Sequence, residues 1–96
     1  MNTEIKAVHF TLDDVSKSYL EKKISRIHNA ENMIVDLLFT ITHGKDFTAE
    51  ATVNFRWGLS IHVKENDFDL HTAIDQLVDT LEAKITKEKE KEKEKR

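Results

Sequence analysis

Asp69-Leu-His-Thr-Ala-Ile-Asp-Gln-Leu-Val-Asp-Thr-Leu-Glu-Ala-Lys-Ile85 decides the fold of this chain. Leu70, Ile74, Leu77, Leu81 and Ile85 recur at steps of three and four residues, so they share one face of a helix. Ala73 and Val78 widen that face. Asp67 or Asp69 can cap the start by accepting bonds from the free amides of the first turn. A helix with one broad apolar stripe must cover something, and the rest of the chain supplies it.

Working outward, the spacing predicts strand, helix, three strands, helix. Glu4 to Phe10 reads as a short first strand, with Ile5 and Ala7 on one side. Asp13 or Thr11 caps the next helix, which runs to about Ile27 with Asp14 in its first turn. Leu12, Val15, Tyr19, Leu20, Ile24 and Ile27 form its stripe, and residues 28–32 end it. Val35, Leu37, Phe39 and Ile41 then alternate with polar neighbours, as in a strand buried on one face. Residues 43–46 make a turn, and Ala49, Ala51, Val53 and Phe55 alternate again. Arg56-Trp57-Gly58 makes a second turn, where glycine adopts a positive φ cheaply. Leu59, Ile61 and Val63 form the last strand.

One architecture satisfies all of these faces: an α+β two-layer sandwich of order β-α-β-β-β-α, with both helices on one face of a four-stranded sheet. The strand–helix–strand passage is expected to be a right-handed crossover, with strands one and two parallel. The expected core is Tyr19, Ile24, Val35, Leu37, Phe39, Ala51, Val53, Ile61, Ile74, Leu77 and Leu81.

Composition narrows the function. Ninety-six residues make one domain, read as residues 1–86 followed by a Lys/Glu tail over 87–96 that extends the helix or is disordered. Cysteine is absent, which removes disulfides and thiolate chemistry. No apolar run approaches the roughly 18 residues that span a bilayer. The first residues lack the layout of a signal peptide. The expectation is a cytoplasmic protein with no membrane partner. The five histidines are scattered and no serine sits in a glycine-flanked elbow, so no metal site, cofactor or catalytic residue is expected, and no enzyme. Asp75 and Asp79, one helical turn apart, read as solvated surface.

Residues 1–86 hold nine Lys or Arg against fourteen Asp or Glu, a net of −5; the tail holds six against four, a net of +2. An acidic body argues against a nucleic-acid partner, but the potential of one face matters more than the sum over all faces. Lys22, Lys23 and Arg26 border the first helix's stripe within about 100°. Lys84 and Lys87 form a second cluster, and Lys45 and Arg56 sit in the two turns. Two readings stay open for the helix cations: a structural place, snorkelling at the core margin of the first helix or stabilising the C-terminus of the second, or contact with phosphates. Trp57 is likewise either packed on a neighbour or free to stack on a base, with Arg56 on the adjacent phosphate.

The wording of the last helix, Asp-x-x-x-Ala-Ile-Asp-x-Leu-Val-Asp-x-Leu-Glu, together with its Lys-rich ending, resembles the ribosome hibernation-promoting factors, the family that includes the ribosome-associated translation inhibitors. Phe10-Thr-Leu-Asp-Asp-Val15, Tyr19-Leu-x-Lys-Lys-Ile-x-Arg-Ile27, Ala49-x-Ala-x-Val53 and Ile61-His-Val63 are similar to other parts of that family. The resemblance implies a protein that occupies the messenger and transfer RNA sites of the small ribosomal subunit in idle cells and inhibits translation. It implies the small subunit and its ribosomal RNA as partners. Lys23, Arg26 and Lys87 stand where family members carry Lys or Arg on a face toward that RNA. With the resemblance, Lys22, Lys23 and Arg26 are expected to converge with Lys84 and Lys87 on one patch. The chain resembles the short form, for which pairing of ribosomes would need a second factor. Thr80 and Ala83 stand where the family commonly carries cations, which weakens the implied grip. The alternative is a non-enzymatic interaction module of the same fold that forms a homodimer through a sheet edge or Trp57.

Overall fold

The computed structural model describes residues 1–94. Its order is β1 (Asn2–Val8), α1 (Asp14–Ile24), a 3-10 run (Ser25–Met33), β2 (Ile34–His43), β3 (Phe47–Phe55), β4 (Ser60–Asp67) and α2 (Leu70–Glu94). The strands lie in the order β1-β2-β3-β4, with β1 parallel to β2 and the other pairs antiparallel. This is the α+β sandwich that the patterning predicts.

Pairing registers give the sheet two unlike faces. Ile5, Phe39, Ala51 and Val63 lie abreast across the four strands, as do Thr3, Leu37, Val53 and Ile61. These rows meet Leu20, Ile24, Ile74, Leu77, Val78 and Leu81 in one buried core. The rows between them are polar. Lys6, Thr40, Glu50 and Lys64 form one, and Asn2, Asp36, Asn54 and Ser60 another. Asp36 there accepts bonds from Asn2 at 3.4 Å and Asn54 at 3.3 Å. Alternation with period two thus puts both helices on one face and leaves the other face to solvent.

Each helix starts at an acidic cap. Ser16 N–H donates to Asp13 Oδ1 at 2.7 Å, and Thr72 N–H donates to Asp69 Oδ2 at 2.9 Å. Of the two acids that could begin α2, Asp69 is the cap, while Asp67 accepts from the Asp69 amide at 2.9 Å. α2 runs on through residue 94, so the described part of the tail continues the helix; residues 95 and 96 lie outside the described residues.

Several local expectations are corrected. Strand β1 ends at Val8 rather than Phe10, because His9 turns into the left-handed region with φ 66°. Phe10 then packs edge-on against Phe47 and His43. α1 ends at Ile24, and the Ser25 hydroxyl donates to the Lys22 carbonyl, drawing that group from the α ladder. The following 3-10 run keeps its own period of three, burying Ile27, Ala30 and Met33. Val35 is 49% exposed, because the β2–β3 register shifts between Ile34 and Asp36 and Ile34 takes the inward place. Val15 is 73% exposed, since the buried line of α1 runs through Ser16, Leu20 and Ile24. Ser16 fits there because its hydroxyl lies 3.1 Å from His71 Nε2 on the neighbouring helix. Leu59, also 37% exposed, precedes β4 rather than opening it.

Leu77 is fully buried and Val15 is not, so their truncations are expected to separate. Leu77→Ala should cost about 2–5 kcal/mol in urea unfolding, and Val15→Ala within about 0.5 kcal/mol of zero.

Candidate nucleic-acid interface

Both helices descend from the same end of the sheet, so they lie side by side and run parallel. Their flanks meet in step along a seam. Ser16 faces His71, Tyr19 faces both His71 and Asp75, Lys23 faces Asp75, and Arg26 faces Asp79 and Glu82. The His71 ring stacks on Tyr19 with centroids 4.4 Å apart and planes 12° apart. The Tyr19 hydroxyl donates to Asp75 Oδ1, and Lys23 Nζ lies 3.2 Å from the same oxygen. That ammonium also stands 5.5 Å from the centre of the Tyr19 ring.

Arg26 lies just beyond α1, in the first turn of the 3-10 run. Its Nη2 is 3.4 Å from Asp79 Oδ1 and 3.2 Å from Glu82 Oε1, and its Nε is 3.1 Å from Glu82 Oε2. The last contact is an ion pair by distance only: its alignment is outside hydrogen-bond geometry, which leaves Oε2 without a bond. The partners are 36–64% exposed. Such pairs in water are typically worth about 0–1 kcal/mol each.

The titration behaviour follows from these contacts. The Tyr19 hydroxyl, more than Lys23, holds the Asp75 carboxyl below its ordinary value, with burial working the other way. Asp75 in turn raises both Tyr19 and Lys23. Glu82, ahead of Asp79, raises Arg26. The capping bonds lower Asp13 and Asp69.

The cations singled out from sequence form two groups. Lys22, Lys23 and Arg26 line a groove of about 400 Å³ with Tyr19 and Ser25. Lys22 is exposed and makes no ion pair among the described residues, whereas Lys23 and Arg26 are held by the seam. Lys84 and Lys87 lie about 80–180° around α2 from Asp75, Asp79 and Glu82, at 100° per residue. They share their flank with Thr80, whose hydroxyl donates to Glu65 of β4 at 3.2 Å. Lys84 and Lys87 therefore overhang the β4 side of the molecule rather than joining the α1 patch. Lys45 and Arg56 are exposed at opposite ends of the sheet, in the β2–β3 and β3–β4 turns.

Trp57 packs on a neighbour and stays partly exposed. One face of the indole stacks on Phe55, with centroids 5.0 Å apart, yet the residue remains 36% exposed. Gly58, at φ 88°, closes the turn, and its amide donates to the Phe55 carbonyl at 3.0 Å. The Arg56 amide ties the turn to the 3-10 run by donating to the Met33 carbonyl at 3.0 Å. Trp57 and Leu59 face Glu88 and Lys91 of α2 across an open groove of about 490 Å³.

Sequence reasoning misses the row Asp75, Asp79, Glu82: it takes Asp75 and Asp79 as solvated surface and does not single out Glu82. A signal was present. The row repeats at i, i+4, i+7 along one border of the α2 stripe, matching Lys23 and Arg26 on the border of α1. Among the described residues, no three His, Asp or Glu side chains converge to hold a metal ion, and no helix is long and apolar enough to cross a membrane.

Asp75 gives the seam a pH signature. In the unfolded chain its carboxyl takes up a proton near the ordinary 3.8, while the folded carboxyl resists until lower pH. Stability from the seam is therefore present above that value and disappears as pH falls through the depressed one. Asp75→Asn should make the decline of unfolding stability below about pH 4 shallower than in the parent, measured by urea unfolding across pH.

Comparison with known proteins places this geometry. The N-terminal domain of Thermus thermophilus Protein Y is 27% identical, with a TM-score of 0.78, covering 91% of this chain and 98% of that one. A ribosomal subunit interface protein from Coxiella burnetii shares the fold at 21% identity and a TM-score of 0.83, covering 93% of this chain and 98% of that one. Among the curated proteins none matches. The family model described as Sigma 54 modulation protein / S30EA ribosomal protein matches residues 3–93, and to that family of ribosome-associated hibernation factors the chain belongs.

Proposed function

We propose that this chain is a ribosome hibernation factor: a non-enzymatic protein of the cytoplasm that binds the small ribosomal subunit at the messenger and transfer RNA sites and inhibits translation in idle cells. Family membership supports a ribosomal role. The observation that carries the RNA contact is the groove edged by Lys22, Lys23 and Arg26, three cations on one flank of a body that is otherwise acidic. Cations on a rigid helix contact phosphates without reading sequence, as a factor that must fit every ribosome requires. Arg56 and Trp57, at the same end of the molecule as Arg26, supply a phosphate contact and a stacking surface. Lys84 and Lys87 offer a second and separate contact on the α2 flank.

The test is co-sedimentation with small subunits over a salt series, paired with a translation assay in vitro. Reversing charge at Lys23 and Arg26 would set new carboxylates beside Asp75, Asp79 and Glu82, so neutral substitution keeps the fold. Lys23→Gln with Arg26→Gln is expected to weaken binding and translation inhibition together. The slope of log affinity against log salt should fall, by at most about 0.7–0.9 for each phosphate left without its cation. A folded double variant that pellets as well as the parent at every salt concentration would remove the RNA face from this flank.

Trp57 separates stacking from charge. Trp57→Ala should cost about 1–3 kcal/mol of subunit binding and leave the salt slope unchanged. The free edges of β1 and β4 favour a second reading, self-association by strand pairing. Sizing chromatography without RNA detects it as a dimer.

A further inference from the structure

We infer that Asp79 and Glu82 are built-in competitors for RNA: they occupy Arg26 as phosphate would, and binding proceeds by exchange of one anion for another. The inference rests on the RNA-face reading above and adds its regulation.

The geometry carries it. Arg26 presents Nε and Nη2 to Glu82 at 3.1 and 3.2 Å, and Nη2 to Asp79 at 3.4 Å. Nη2 hydrogen-bonds to both acids and Nε adds an ion pair by distance, on the edge that guanidinium also offers to phosphate. While Nη2 is held by Asp79 and Glu82 it is not free for a second anion in the same place. Glu82 Oε2 is buried, but the side chains as a whole leave the contact open to exchange: Arg26 is 43%, Asp79 64% and Glu82 36% exposed. Giving up exposed pairs of this kind costs about 0–1 kcal/mol each.

Displaced carboxylates do not leave; they stay on α2 beside any phosphate held by Arg26 and repel it. Each exchange also yields fewer net free ions than a bare cation would. Phosphate sheds its counterions, while the freed carboxylates gather some back. The acid row thus lowers affinity and flattens its dependence on salt.

Asp75 differs from its neighbours in the row. It accepts the Tyr19 hydroxyl as well as facing Lys23, so it helps join the helices and is left intact in the test. Among the described residues, the hydrogen bonds and ion pairs that Asp79 and Glu82 make across the seam go to Arg26.

The experiment uses the full chain with Asp79→Asn and Glu82→Gln, purified small ribosomal subunits as the probe, and a salt series. A control carries Glu4→Gln and Glu50→Gln, which remove the same charge from the sheet's outer face. The acid-row variant is expected to bind about 3–10-fold more tightly near 0.1 M salt, with a slope steeper by up to about 0.9, while the control changes little. Equal tightening by the control would assign the effect to net charge and overturn the inference. An acid-row variant with unchanged affinity and slope, alongside a Lys23→Gln, Arg26→Gln variant that binds weakly, would overturn the exchange but leave the RNA face standing. If no variant on this flank alters binding, the RNA face fails and the exchange fails with it. Thermal melting of each variant checks that the fold is kept.

Discussion

The structure depends on one constraint: a four-stranded sheet that is apolar on a single face must be covered by two helices at once. Neither helix stripe is wide enough to do this alone, and β1, β2, β3 and β4 all present inward rows. Because both helices return from the same end of the sheet, they lie parallel and their flanks must touch. The contact is polar, since the apolar stripes are spent on the sheet. The seam from Ser16 and His71 to Arg26 and Glu82 is the result. Its rings and hydroxyls fill the upper half, and its charges the lower half. The seam thus follows from how the core is closed.

Much of the fold is legible in the sequence because most of the chain is strictly periodic. Strand alternation and helix stripes point to a single interior, and Asp13 and Asp69 stand at helix starts. The misreadings have local causes. The stretch from Ser25 to Met33 buries every third residue, a period that falls between those of helix and strand. The alternation that points Val35 into the core breaks one residue into β2, at the bulge after Ile34. Hydropathy prefers Val15 to Ser16 for the interior. Tertiary contact ranks them the other way, as a small hydroxyl side chain suits the close approach to His71. These are places where a partner element, absent from the local window, decides the outcome.

The candidate site is legible to a lesser degree, for a geometric reason. A helical sequence fixes the angle of each residue about its own axis but not which flank faces which neighbour. Lys22, Lys23 and Arg26 group readily because they follow one another along a single helical stretch. Joining them to Lys84 and Lys87 requires knowing the side on which α1 sits. The structure puts α1 against Asp75, Asp79 and Glu82, leaving the lysines on the flank that overhangs β4. The partners of Arg26 are therefore present in the sequence as a spaced acidic row, but become meaningful only when the helices are set side by side.

The same arrangement explains why net charge is a poor guide to this protein. Parallel helices add their dipoles instead of cancelling them, so the N-terminal ends gather positive potential. Asp13, Asp14, Asp67 and Asp69 sit at that end, two of them capping the helices. Four of the body's fourteen acids thus compensate helix starts. At the opposite end of α1 the dipole is negative, and Lys22 and Lys23 occupy its last turn, with Arg26 just beyond. The stabilising placement of charge thus sets acids at the helix starts and cations at the end of α1, irrespective of any ligand. An anion approaching the end that carries Arg26 and Arg56 meets cations but also acids: Asp36 at the start of β2, Glu88 across from Trp57, and the row at Asp75, Asp79 and Glu82, which balances Lys23 and Arg26 directly.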